Sequence, residues 1–328
     1  MKNLDVGTDD PEISSPSNSP INEFHSCDSS KKIMSFLGCG SGSGPKKVVV
    51  MRHGERVDDF FPSWIQQCQT KPEYKAFDSN MPLSLKPLIR VLEEYVDDSP
   101  LTQMGNLMAQ MIGRGMLINN LTPDSIYCSP SLRCIQTASI VSSIVEANCK
   151  LRIEPGLFEN NNLYMQGRPS WLTKEDLSEA GFIIDLSYKP FFDEDDVWFH
   201  KENYSSYNRR LHATFDNIFN MEAARDLNST VLISAHASTV DLLAGYFSTP
   251  RRNLLSGELG GIGHRVPYCA TAVFCRQNDS TVSPYGIWSY SGESALPSIT
   301  YGNFCSRVDQ KFLLRKAFDD TDTNKTQL

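Results

Sequence analysis

The segment Arg52-His53-Gly54-Glu55-Arg56 follows the apolar run Lys47-Val48-Val49-Val50-Met51 and sets an imidazole between two guanidiniums. An imidazole nitrogen can attack phosphorus and hold the phosphoryl group covalently, while an arginine keeps its charge and forks onto two phosphate oxygens. Arg52 and Arg56 lie four residues apart across a tight exit from the run, so both can reach one anion. Taken alone, the motif also fits a surface histidine among solvated charges, because short motifs recur by chance. Two further segments bear on the choice. Arg133 follows Ser129-Pro130-Ser131-Leu132, and His236 follows Thr230-Val231-Leu232-Ile233-Ser234-Ala235. Phosphoryl transfer spreads charge over three equatorial oxygens, so three arginines and a histidine donor supply the stabilisation it needs without a metal.

These residues work together only if the elements that carry them end at one place. Residues 47–51 are β-branched, follow Gly/Ser/Pro punctuation and read as a strand; Ile126-Tyr127-Cys128 and Thr230–Ser234 read the same way. Thr102 is placed to cap a helix whose Leu107, Met108, Met111 and Ile112 fall on one face. Ser129-Pro130-Ser131 caps a helix through Ile135, Ala138, Ile140 and Ile144, putting Arg133 in its first turn, where the helix N-terminus adds to the positive field. A further helix runs through Val240, Leu242, Leu243 and Tyr246. Strands and helices alternate from Lys46 onward, which predicts an α/β fold with a mostly parallel central sheet flanked by helices. His53, His236 and the arginines then share the edge beyond the carboxyl ends of the strands, where open α/β sheets bind ligands.

The set Arg52-His53-Gly54-Glu55-Arg56, Pro100-Leu101-Thr102 with Gly105, Ser129 to Ala138, and Ala235-His236-Ala237-Ser238, in that order, resembles the histidine phosphatase (phosphoglycerate mutase-like) superfamily. Within it, Gly54 to Asp58, Trp64 with Gln67-Cys68, Asn80-Met81-Pro82 and Glu154-Pro155-Gly156-Leu157-Phe158-Glu159 resemble the phosphatase domain of the TULA/Sts proteins and the ecdysteroid-phosphate phosphatases. The likeness covers about residues 46 to 310. It implies His53 as nucleophile, Arg52, Arg56, Arg133 and His236 as the phosphate pocket, and Glu159 as proton donor to the leaving group and base toward water. A Trp expected after that glutamate is replaced here by Asn160. The resemblance also implies a phosphotyrosyl protein or a bulky apolar phosphate, such as a steroid phosphate, as substrate, and it admits a homodimer. TULA-like proteins carry ubiquitin-binding and SH3 modules ahead of this domain, and the residues before Lys46 are too few for either.

The rest of the chain narrows the choice of partner. With 328 residues, net charge −8 and a pI near 5.3, it lacks the positive footprint of a nucleic-acid or anionic-membrane binder. The nine cysteines are scattered without a C-x-x-C pair, which points to reduced thiols in the cytoplasm or nucleus. No signal peptide or membrane span is legible, so the sequons at Asn120, Asn203, Asn228, Asn278 and Asn324 are expected to be chance. Residues 1–45 read as a disordered Ser/Pro/Gly-rich tail with Ser-Pro pairs at Ser15 and Ser19, residues 46–315 as the catalytic domain, and 316–328 as a flexible tail. The run Gly38 to Gly44 leads into a strand rather than a helix, unlike a phosphate-binding P-loop.

No cofactor and no metal are expected, since His25, His200, His212 and His264 show no ligand spacing. Only four residues separate Cys128 from Arg133, one fewer than the cysteine-phosphatase loop requires. The insert from Pro72 to Asp98 and the acidic stretch near Asp193 are expected to shape specificity. Two other readings stay open: a mutase acting on a small acid, and a catalytically weak protein that binds phospho-ligands through the same pocket.

Overall fold

The computed structural model describes residues 45–316, apart from 71–72, 226–227, 249, 256, 278–286 and 303. The tail expected over 1–45, with its Ser-Pro pairs, the Gly38 to Gly44 run and His25, lies outside the described residues, Pro45 excepted, as do the C-terminal tail beyond Lys316 and the sequons at Asn278 and Asn324.

Six strands form the central sheet: β1 (Lys47–Arg52), β2 (Ser125–Cys128), β3 (Leu151–Ile153), β4 (Thr230–Ala235), β5 (Thr271–Gln277) and β6 (Ile287–Tyr290). Their spatial order is β3-β2-β4-β1-β5-β6. The first four are mutually parallel, and β5 and β6 add an antiparallel edge, so the sheet is mixed with a parallel body. The long helices are α1 (Gln103–Ile118), α2 (Leu132–Ile144), α3 (Tyr204–Arg225) and α4 (Ala237–Phe247).

Alternation along β1 explains the layering. Val48 and Val50 point into a core shared with Leu211, Phe215 and Ile218 of α3 and Val240 and Leu243 of α4. Val49 and Met51 point into the opposite core, against Met108, Ile112 and Met116 of α1 and Ile135 and Val141 of α2. A strand buried on both faces must be apolar throughout, which is why the run Val48 to Met51 has no polar member. The register sets Arg52 beside Ala235 and Cys128 beside Ser234, so three parallel strands end level with one another.

Two expectations for the helices need correction. Leu107 and Met111 are 47% and 46% exposed, and the buried face of α1 is instead Gly105, Met108, Ala109, Ile112, Gly113 and Met116. Two glycines and an alanine let α1 approach its neighbours closely, so the contact stripe is built from small residues that a search for large apolar side chains passes over. Thr102 does cap α1, accepting a hydrogen bond from the Gly105 amide. Ser131 stands at the N-cap of α2, yet its side chain makes no cap bond. The buried Asp98 carboxylate does that work from outside the helix, accepting from the Leu132 amide at 2.7 Å while Arg90 holds its other oxygen.

Two small apolar clusters stand apart from the main cores. One joins Val57, Trp64, Ile65, Cys68, Met81 and Tyr95 to Leu132 of α2; the other joins Phe158, Tyr164, Phe192 and Val197, with Trp171 and Trp198 packed against them. No helix among the described residues is long and apolar enough to cross a membrane.

Candidate active site

The carboxyl ends of the parallel strands deliver the side chains singled out in the sequence. His53 leaves β1 with its amide bonded to the Ala235 carbonyl at 2.9 Å, and Ser129 leaves β2 with its amide on the Ser234 carbonyl at 3.1 Å. The sheet ladder thus continues one residue past the strands and fixes the backbone from which both loops start. Gly54 then passes so close to the start of α1 that a Cβ on it would stand 2.7 Å from the Gly105 carbonyl oxygen. Glu55 ties the same crossing: its Oε1 accepts from Thr102 at 2.7 Å and from Asn80 at 2.9 Å, and its carbonyl accepts from the Thr102 amide.

The structure brings Arg52, His53, Arg56, Arg133, Glu159 and His236 into one pocket. His53 Nδ1 lies 2.8 Å from the Gly54 carbonyl. A carbonyl only accepts, so Nδ1 carries the proton and Nε2 keeps a lone pair, toward which Arg133 Nε donates at 3.3 Å. The buried Arg133 Nη2 donates to Glu159 Oε1 at 2.6 Å and to Tyr164 Oη at 3.0 Å. His236 Nε2 lies 2.8 Å from Ser129 Oγ, and its Nδ1 stands 3.5 Å from Glu159 Oε1. Arg52 is anchored through Nη1 to the Gly263 and Val266 carbonyls, with its guanidinium 4.1 Å above the Tyr268 ring. Arg56 pairs with Asp58 at 2.9 Å and remains partly exposed.

Burial and charge set the protonation states. Burial pushes His53 well below its ordinary 6.5, and Arg133, Arg52 and His236 push the same way against the Gly54 hydrogen bond. Burial also takes His236 down to about 3, with Glu159 opposing and the arginines reinforcing. Both rings are therefore neutral at neutral pH. For Glu159, burial would raise the carboxyl, but the facing His236, Arg133, the Tyr164 hydroxyl and Arg56 outweigh it and hold the group at about 2. Cys134 is pushed up to about 12 by burial and burial raises Cys128 well above its ordinary value, so neither supplies the thiolate that cysteine-based phosphate chemistry needs. No three His, Cys, Asp or Glu side chains gather as a metal-holding group among the described residues.

Several residues that hold this pocket were not legible beforehand. Thr137 accepts from the Gly54 amide and donates to the Arg133 carbonyl, one helical turn along from Arg133. Arg210 of α3 is paired with Glu202 and donates to the carbonyls of Gly156, Phe158 and Glu159, so it clamps the loop that carries the carboxylate. Tyr164 and Tyr268 had no pattern to mark them; Thr137 lies within the Ser129 to Ala138 segment, and its spacing from Arg133 was the signal for its role. Asn160, where a Trp was expected, is buried and accepts from the Asn162 amide, capping the short turn Asn161–Leu163.

Residues 94–258 match the model of the histidine phosphatase superfamily (branch 1), and the chain belongs to that superfamily. Arg133, Glu159 and His236 lie inside the matched segment, and Arg52, His53 and Arg56 precede it.

Among relatives, the chain is 34% identical over 258 residues to the ecdysteroid-phosphate phosphatase of Drosophila melanogaster, covering 77% of this chain and 32% of that protein. It is 32% identical over 280 residues to the ubiquitin-associated and SH3 domain-containing protein B of Mus musculus, covering 82% of this chain and 42% of that protein. The chain therefore spans between about a third and two fifths of the length of these relatives. Among solved structures, that of the ecdysone phosphate phosphatase from Bombyx mori in complex with tungstate superposes with a TM-score of 0.65 at 29% identity, over 82% of this chain and 99% of that one.

Proposed function

We propose that the chain hydrolyses phosphomonoesters through a phosphohistidine on His53, with residues 46–315 as its catalytic unit. The observation that carries this reading is the His53 ring, pinned by Nδ1–H to the Gly54 carbonyl so that an unprotonated Nε2 faces the pocket lined by arginines. In the first step Nε2 forms a bond to phosphorus as the ester P–O bond breaks, and the leaving oxygen takes a proton from Glu159. In the second, Glu159 accepts a proton from water, whose oxygen attacks phosphorus and releases phosphate and neutral His53. Arg52, Arg56 and Arg133 neutralise the equatorial oxygens, and His236 adds a donor. Glu159 starts as a carboxylate paired with Arg133. A phosphate dianion would compete for that guanidinium and, by repulsion, raise the carboxyl toward its protonated form. No step calls for a metal or cofactor.

The substrates we propose are a phosphotyrosyl protein or a bulky apolar phosphate such as a steroid phosphate, in keeping with the relatives' names. Tungstate bound to the Bombyx mori relative is a phosphate-like oxyanion, which supports a phosphate pocket here. The mutase reading needs room for a second anion; Asp58, Asp59 and Asp97 beside the pocket disfavour one. The reading of a weak binding protein loses support because every side chain the chemistry uses stands in the pocket. We place the protein in the cytoplasm or nucleus on its free thiols at Cys128, Cys134, Cys149, Cys269 and Cys275, acting alone or as a homodimer, apart from nucleic acid and membrane.

Turnover of para-nitrophenyl phosphate in EDTA, with acid-labile phosphate trapping, tests the proposal. Wild type is expected to turn over and to trap phosphate, and His53→Ala to do neither. Folded wild-type protein that does neither would overturn it.

A further inference from the structure

We propose that Tyr164 is a positioning residue for the proton donor: its hydroxyl holds Glu159 by Oε1 and leaves Oε2 as the oxygen that carries the proton to the leaving group. This rests on Glu159 being the acid of the phosphatase reaction described above. The two carboxylate oxygens are not equivalent. Oε1 receives Arg133 Nη2 at 2.6 Å and Tyr164 Oη at 2.6 Å, and faces His236 Nδ1 at 3.5 Å. Among the described residues no hydrogen bond reaches Oε2, and the Glu159 side chain keeps 18% of its surface open. An oxygen loaded with donors holds the negative charge, so the proton goes to the other one.

Tyr164 is itself held rigidly. Its ring packs on Phe158 at 5.0 Å and near Trp198 at 6.3 Å, and its carbonyl accepts from Lys201 Nζ at 2.6 Å. The preceding turn is fixed by the fully buried Asn161, whose amide donates to the Val197 and His200 carbonyls and accepts from the Glu202 amide. The Asn160 to Asn162 segment, where the chain departs from the expected Trp, is thus the device that brings a phenol to the acid. Arg133 Nη2 touches both Glu159 and Tyr164, so when phosphate draws that guanidinium away the tyrosine still holds Oε1 in place. Burial, with Glu159 beside it, keeps the phenol protonated, as a donor must be. The other charged or titratable groups acting on Glu159 are Arg133, His236, Arg52 and Arg56, with Cys134 and Tyr207 in its field.

Leaving-group dependence distinguishes a device for the acid from a purely structural tyrosine. A poor leaving group needs the proton, and an activated one does not. Glu159→Gln and Tyr164→Phe are compared with wild type on para-nitrophenyl phosphate and on an unactivated alkyl phosphate, and inorganic phosphate inhibition checks that the pocket is intact. In kcat/KM, which reports the first step alone, Tyr164→Phe is expected to lose about tenfold or more on the alkyl ester, less than about threefold on the nitrophenyl ester, and to bind inorganic phosphate as wild type does. The limb of its kcat/KM profile that reports Glu159 protonation is expected to move to higher pH, because a donor to the carboxylate has gone. Equal losses on both esters, or none, with Glu159→Gln selective for the alkyl ester, would overturn the role of Tyr164 alone. A Glu159→Gln variant that shows no such selectivity in kcat/KM would overturn the acid itself, and this inference with it.

Discussion

His53 and His236 are neutral in the fold because charging them there would cost desolvation beside three guanidiniums. Unfolded, each returns to an ordinary value near 6.5 and binds a proton more readily, so the unfolded state gains protons first as pH falls. The stability their neutrality preserves is intact above about 6.5 and is lost below it, continuing for His236 down to about 3. Glu159 runs over a different window: held at about 2, its contribution is complete above its ordinary 4.5 and fades as pH falls through about 2. Urea unfolding at pH 7 and pH 5 therefore samples the histidines, His212 included because burial holds it at about 4, and a variant assigns the share of each. Between those values His236 is expected to account for about 2 kcal/mol of the stability wild type loses, with His53 adding in the same direction, and His236→Gln to lose about 2 kcal/mol less than wild type. A variant as acid-sensitive as wild type would show that His236 is not held neutral. At this scale the six pocket residues were legible because each follows a strand, opens a helix or lies in a quoted motif. Tyr164 was not, since its place is set by Asn161 bonding to Val197 and His200, far along the chain.

The elements that position these residues meet at a crossing of bare backbone. Gly54 and Gly105 approach so closely that a side chain on either collides with the other segment, and Glu55 closes the crossing through Thr102 and Asn80. The loop carrying His53 is thus located by α1 as much as by β1. Gly105→Ala is expected to cost about 1–3 kcal/mol in unfolding, as overpacking does, and to lower kcat for the folded fraction as the His53 loop shifts. Thermal melts and active-site titration check both; loss of stability at unchanged kcat would place the strain outside the loop. The strand runs and the Thr102 cap were readable in the sequence because local composition fixes them. The buried face of α1 was not, because its contacts use Gly105, Ala109 and Gly113. Nor was the cap of α2, because Asp98 comes from a segment 34 residues away from Leu132. The β5–β6 hairpin lay beyond what alternation of strands and helices could announce.

The whole chain carries a net charge of −8, and Arg52, Arg56 and Arg133 form a local basic site where phosphate would bind. Asp58, Asp59 and Asp97 stand beside that pocket: Asp58 pairs with Arg56, Asp59 accepts from the Tyr268 hydroxyl, and Asp97 lies in the field of Arg56 and Arg133. An approaching phosphoester therefore meets repulsion at long range and attraction only at contact. Screening acts on the first more than the second, since exposed charges lose their reach as the Debye length shrinks from about 30 Å at 10 mM salt to about 10 Å at 0.1 M. For an acidic phosphopeptide, kcat/KM is expected to rise by about two- to threefold across that range, and by less for an ester with a neutral leaving group. Asp59→Asn combined with Asp97→Asn removes two of the repelling charges while leaving Tyr268 an acceptor at position 59, so it is expected to flatten the salt response of the acidic peptide. A kcat/KM that falls with salt for both substrates would mean that the arginine pocket governs approach at every distance, and that the acidic rim does not select among substrates.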